Sequence, residues 1–163
     1  MPPNPSGPQF VAALKSLGIT HVVWLPDSAT GQWEQALEES PEVRLVRVCR
    51  EGEAWAVAGG LHIGGALPLV VIQNTGLFES GDAMRNMLFD FRLPLYALIG
   101  YRSFLVECST DTARRFTEPV LQAWGIEHQL LDPRDPLPQF ARHFQACRVD
   151  QRAGCSLLPE GKP

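Results

Sequence analysis

Apolar positions along this 163-residue chain alternate between two periods. Phe10, Ala13, Leu14 and Leu17 recur at helical spacing, and Gly18 stops that helix at its C-terminal side. Residues 20–25 are then β-rich and end at Pro26. The exchange repeats: a short helix over 30–38 turns Trp33, Ala36 and Leu37 inward, a strand covers 44–48, and a helix spans 51–63. Residues 67–72 form a continuous apolar run, as expected of a strand covered on both faces. Helices over 80–89, 112–124 and 137–146 and strands over 93–100, 127–131 and 154–158 complete the pattern, with Asp111 as an N-cap. Six strand–helix alternations with short links predict an α/β fold, a doubly wound and mostly parallel six-stranded sheet with helices on both faces. Residues 1–8 read as a flexible N-terminal tail and 9–163 as one domain.

Composition narrows the function classes. Apolar residues make up 45% and charged residues 20%, ordinary for a globular protein. The formal charge of −4 supplies no basic field for nucleic acid or an anionic membrane. No apolar run approaches the ~20 residues that a membrane helix needs. The opening MPPNPSGP has neither a basic start nor an apolar stretch, so no signal peptide is read there and a cytoplasmic location is expected. Cys49, Cys108, Cys147 and Cys155 show no C-x-x-C spacing, and Cys49 and Cys155 lie in apolar runs where a thiol behaves as a small hydrophobe. His21, His62, His128 and His143 form no H-x-x-x-H pair, so no metal site is expected on this chain.

In a doubly wound sheet, ligands bind beyond the carboxyl ends of the strands. The segments expected there are the loops 26–31, 49–52, 74–80 and 101–110. Glu51 opens the helix over 51–63, where the helix dipole favours a carboxylate. Glu53 lies about 200° further round that helix, so the two acids cannot share a target, and Glu53 reads as a packing-edge or interface charge. Ala54, Ala58, Gly59 and Gly60 are small, as close helix–sheet contact requires. Asp27 and Ser28 suit a turn as well as a ligand contact. Asn74, Thr75 and Gly76 fit a strand-ending turn, or a loop whose glycine lets backbone approach a ring. Arg50, Arg85 and Arg102 are either anion contacts or solvated surface arginines. A dinucleotide fingerprint is missing after the first strand, where 25–31 read LPDSATG.

Five stretches carry a family resemblance: THVVWLPDS at 20–28, REGEAWAVAGG at 50–60, VVIQNTGL at 70–77, residues 111–124, and GCSLLPEG at 154–161. In this order and spacing they resemble the pyrimidine-binding domain of thiamine-diphosphate enzymes, in particular the separate alpha subunits of sulfopyruvate and phosphonopyruvate decarboxylases. The resemblance implies that Glu51 hydrogen-bonds the aminopyrimidine ring and drives it to the imino tautomer that generates the ylid. It implies that Asn74, Thr75, Gly76 and Leu77 line the cofactor, and that Asp27, Ser28, Phe78 and Glu79 lie beside the substrate, a 2-oxo acid. The family typically continues with Gly-Asn after Leu77; Phe78 and Glu79 stand here instead, adding apolar bulk where a small dianionic substrate would approach.

Such enzymes hold the diphosphate through a divalent metal on a Gly-Asp-Gly strand end, with an asparagine roughly 25–30 residues on. This chain has asparagine only at Asn4, Asn74 and Asn86, and its one Gly-Asp, Gly81-Asp82, is followed by Ala83. The resemblance therefore implies thiamine diphosphate as cofactor, with Mg²⁺ held by a diphosphate-binding beta subunit, and leaves homo-oligomers open. Two alternatives stand beside a decarboxylase subunit. One is an acetolactate-synthase-like carboligase subunit, the other a non-catalytic interaction or regulatory subunit of the same fold.

Overall fold

In the computed structural model, which describes residues 4–161, six strands form one sheet in the order β2-β1-β3-β4-β6-β5. The strands are β1 His21–Trp24, β2 Arg44–Arg47, β3 Pro68–Gln73, β4 Tyr96–Tyr101, β5 Glu127–Leu130 and β6 Gly154–Pro159. Every pairing is parallel, with Val22 opposite both Leu45 and Leu69 and Ile99 opposite both Ile72 and Leu157. The helices are α1 Gly7–Ser16, α2 Glu34–Glu38, α3 Glu51–Ile63, α4 Asn74–Glu79, α5 Gly81–Arg85, α6 Thr112–Ala123 and α7 Pro136–Val149. A single 3₁₀ turn, Gly31–Trp33, leads into α2, and a π-turn, Asn86–Asp90, follows α5.

The pleat sorts the strand residues into two cores. Val22, Trp24, Leu69, Val71, Tyr96 and Leu98 face α1, α2 and α7, where Phe10 stacks on Trp33 at 3.9 Å between ring centres. Val23, Val70, Ile72, Ala97, Ile99 and Leu157 face α3, α5 and α6. Period-2 alternation with both faces buried is what a parallel sheet covered by crossover helices requires. The fold expected from periodicity is thus the fold observed.

Local differences have local causes. Helix α1 begins at Gly7, inside the segment read as a tail, because Gln9 Oε1 accepts the Ser6 N–H at 2.9 Å and Trp33 Nε1 donates to Pro5 O at 2.7 Å. Met1 to Pro3 of that tail lie outside the described residues. Strand β4 starts at Tyr96, three residues later than expected. The segment 74–80, read as a loop, is helix α4. Its last turn is closed by Ser80, whose N–H and hydroxyl both donate to Gly76 O at 2.9 and 2.6 Å. Cys49 is exposed in the turn after β2 instead of buried in a strand, whereas Cys147 and Cys155 are buried. The small face of α3 is a packing contact: Ala54 and Ala58 are core residues, and a Cβ at Gly59 would meet Met87 Sδ at 2.5 Å.

Candidate active site

All six strands end on the same edge, and four neighbours, β1, β3, β4 and β6, deliver most of the candidate residues there. Glu51 is the first residue of α3, after Arg50 in extended backbone. Three carboxylates gather at this helix start, and two are already engaged. Glu53 Oε2 accepts from Cys49 N at 2.9 Å and Arg50 N at 3.3 Å, so it caps the helix. Glu79 accepts from Gly52 N at 2.7 Å and from Arg50 Nε and Nη2 at 3.0 and 2.7 Å. The Gly52 N–H first, and the Arg50 guanidinium second, hold the Glu79 carboxyl below its ordinary range.

Glu51 makes no side-chain hydrogen bond with the described residues. Its half-buried side chain lies against the bare Cα of Gly76, where a Cβ would overlap it, 2.7 Å from both Cδ and Oε1. Glycine at 76 therefore makes room for the Glu51 carboxyl group. Helix α4 is pinned in this position. Trp55 Nε1 of α3 donates to Ser80 Oγ at 3.0 Å, and the Asn74 amide nitrogen donates to Thr117 Oγ1 of α6 at 3.0 Å.

A second acidic group lies beyond β1 and β6. Asp27 Oδ1 accepts the N–H groups of Ala29 and Thr30, both at 2.7 Å, which is the turn chemistry that its sequence suggests. Its other oxygen, Oδ2, is buried and has no partner. Glu160, the residue after β6, is only 5% exposed, and its Oε1 is likewise buried and unpartnered. Both oxygens face the same point above Gly100, where a Cβ would overlap Glu160 Oε1 and sit 3.0 Å from Asp27 Oδ2. Burial, then the Asp27 charge, push the Glu160 carboxyl up to about 8; a hydrogen bond from Gln73 and the Arg102 charge oppose them. Gln73 links the two groups of acids. Its Nε2 donates to Glu160 Oε2 at 3.3 Å, and its Oε1 accepts from Thr75 Oγ1 at 3.2 Å, one residue before Gly76.

The candidate residues thus divide. Glu51, Gly76 and Thr75 converge, and Asp27 joins them through Glu160 and Gln73. Asn74 and Leu77 are fully buried, Asn74 towards α6 and Leu77 within the second core. Ser28 is exposed. Phe78, at 38% exposure, lines an open groove between α4 and α6 with Thr75, Arg102, Thr112, Ala113 and Phe116. Each arginine weighed as an anion contact has an acidic partner: Arg50 with Glu79, Arg85 with Asp82 and Asp90, and Arg102 with Asp111. Glu160 carries no local sequence signal, being a lone acid after a strand. The one hint was its place at the end of the fifth family-like stretch. Among the described residues no cluster of three or more His, Cys, Asp and Glu side chains could hold a metal ion, and no helix is long and apolar enough to cross a membrane.

The fold and this edge define a doubly wound parallel α/β domain whose strand ends carry a group of carboxyl residues. No family model matches the chain. It resembles decarboxylases. The phosphonopyruvate decarboxylase of Streptomyces viridochromogenes is 30% identical over 159 residues, covering 93% of this chain and 40% of that protein. The sulfopyruvate decarboxylase subunit alpha of Methanothermobacter thermautotrophicus is 26% identical over 91 residues, covering 56% of this chain and 55% of the subunit. That of Methanocaldococcus jannaschii is 25% identical over 95 residues, 58% and 56% respectively. The aligned region thus spans about two fifths of the first relative and about half of the other two.

Proposed function

We propose that this chain is the pyrimidine-binding, alpha-type unit of a thiamine-diphosphate-dependent 2-oxo acid decarboxylase that works with a diphosphate-binding partner chain. The observation that carries the reading is Glu51. It is a half-buried carboxyl group at a helix start, uncommitted to any described residue, on a glycine that leaves it room. Its acidic neighbours Glu53 and Glu79 are both engaged, so Glu51 is the acid left to meet a ligand.

The residues suit the aminopyrimidine end of the cofactor. Glu51 would exchange a proton with a ring nitrogen, and Thr75 with the Gly76 backbone would flank the ring. When bound, the cofactor supplies the carbon nucleophile and the electron sink for loss of carbon dioxide. Asp27 and Phe78 would meet the substrate on either side of Thr75. The diphosphate and its Mg²⁺ fall to the partner, because an acidic helix start such as that of α3 repels phosphate. The relatives named as alpha subunits support a divided enzyme.

The test is to produce the chain together with a diphosphate-binding partner and assay 2-oxo acids, separating aldehyde from carboligation products. Glu51→Gln should lower kcat at least ~10²-fold, the lower end of what an acid–base group supplies. In calorimetric titration the chain alone should bind thiamine diphosphate weakly with Mg²⁺ present, and the complex tightly. An unaffected Glu51 variant removes the assignment, and tight Mg²⁺-dependent binding by the chain alone removes the partner.

A further inference from the structure

Glu51 is held on both flanks by one residue of another helix. Glu79 Oε2 of α4 accepts the N–H of Gly52, the residue after Glu51, at 2.7 Å. Its Oε1 accepts from Nε and Nη2 of Arg50, the residue before Glu51, at 3.0 and 2.7 Å. The Gly52 bond satisfies a backbone donor that the opening turn of α3 leaves without an intrahelical acceptor. Glu53 reaches back to the N–H groups of Cys49 and Arg50 and leaves the Gly52 N–H to Glu79. Gly76 and Glu79 stand three positions apart on α4 and so share one face of it. Gly76 leaves room for the Glu51 carboxyl, and one turn on, Glu79 holds the backbone that carries that carboxyl. The contact is close: a Cβ at Gly52 would lie 3.4 Å from Glu79 Oε2 and 3.7 Å from the Ala83 Cβ. Helix α4 is itself anchored, by Ser80 to Trp55 of α3 and by Asn74 to Thr117 of α6.

We propose that Glu79 is a positioning residue for Glu51, fixing the first turn of α3 so that the Glu51 carboxyl stays seated over Gly76. This rests on the role proposed for Glu51 and adds a residue to it. It also moves Glu79 out of the substrate-facing group that the family resemblance implies, since both of its carboxyl oxygens are engaged within the chain. Glu51 makes no side-chain hydrogen bond with the described residues, so its direction depends on its own backbone and on the seat at Gly76. Helix ends fray, and without Glu79 the Gly52 peptide unit is free to turn towards water and carry the carboxyl with it. A shift of ~1 Å in a reacting group can cost ~10²-fold in rate. The ion pair with Arg50 is the lesser part of the contact, because the Arg50 side chain is 71% exposed and such pairs contribute little. The bond to the Gly52 N–H is the part that positions Glu51.

The experiment compares Glu79→Ala, Glu79→Gln, Glu51→Gln and the double variant Glu51→Gln/Glu79→Ala in the assembled complex, with amide hydrogen exchange of the chain alone as a second readout. Glu79→Ala should lower kcat by about 10- to 10²-fold and leave KM within about threefold of wild type. Glu79→Gln keeps an oxygen for the Gly52 N–H and should bring kcat back to within about threefold. In the Glu51→Gln background, Glu79→Ala should cost less than about twofold, because a residue that acts through Glu51 then has nothing to position. The Gly52 amide should exchange at least ~10-fold faster in Glu79→Ala, with the amides of β3 and β4 as protected as in wild type. An equal loss in both backgrounds overturns the proposal, as does a rise in KM in place of the fall in kcat. No recovery in Glu79→Gln, unaltered exchange at Gly52, or lost protection throughout the sheet also overturns it. Loss on Glu51→Gln with none on Glu79→Ala removes the positioning role alone, whereas normal turnover in Glu51→Gln removes the reading on which it rests.

Discussion

Two carboxyl groups on one edge of this sheet are built in opposite ways. Glu51 starts a helix, half-buried beside the bare Cα of Gly76, in a place where the helix dipole favours negative charge. Glu160 follows strand β6, 5% exposed, with another acid facing it. Backbone position thus gives two chemically identical side chains different surroundings, one at a helix start that favours negative charge and the other in a buried place that pushes its carboxyl pKa up. Such contrasting surroundings are a physical route to different proton affinities in two like acids.

The contrast breaks most visibly at Gly76. Gly76→Ala should displace the Glu51 carboxyl without unfolding α4, since alanine is a better helix former than glycine. Because a 1 Å misplacement of a reacting group can cost ~10²-fold, kcat should fall by about that factor while the melting temperature changes little. A variant with wild-type turnover would show that Glu51 needs no such exact seat.

The Glu160 side of the comparison predicts a pH-dependent stability. Its folded-state value, about 8, lies above the ordinary 4.5. The folded state therefore binds more protons than the unfolded state between these values, and stability falls as pH rises through the interval. One proton corresponds to about 1.4 kcal/mol per pH unit, or ~2 kcal/mol between pH 6 and 7.5. Urea denaturation at these two pH values should show that loss in wild type and its absence in Glu160→Gln. Equal slopes for both proteins would mean that Glu160 titrates normally.

Phe78 probes the open groove between α4 and α6. Phe78→Gly should change the ranking of pyruvate, sulfopyruvate and an aromatic 2-oxo acid by ~1–3 kcal/mol in kcat/KM, the scale of a cavity change in an apolar pocket. An unaltered ranking would assign the exposed ring to contact with another chain. The smallest effect belongs to Glu53. Removing this cap with Glu53→Ala should cost ~1 kcal/mol of stability by thermal unfolding, and should leave kcat far less affected than Glu51→Gln does.

The sequence by itself determined the helices and strands whose signals are local. Helix α3 runs from Glu51 to Ile63 as the pattern predicted, and Asp111 caps α6 by accepting the Ala113 N–H at 2.9 Å. Periodicity and capping act within a few residues, so they can be read along the chain. Helix α4 escaped because Asn74, Thr75 and Gly76 are turn-forming residues; Ser80 closes the turn locally, and contacts with Trp55 and Thr117 from elsewhere in the chain hold it in place. Leu77 and Phe78 are neighbours in sequence, yet one is buried in the core and the other faces a groove, because their directions depend on how α4 sits against α6. Only the tertiary structure could bring Asp27 to Glu160. A parallel sheet collects the carboxyl ends of strands distant in sequence, and which ends become neighbours depends on strand order, which no local pattern encodes.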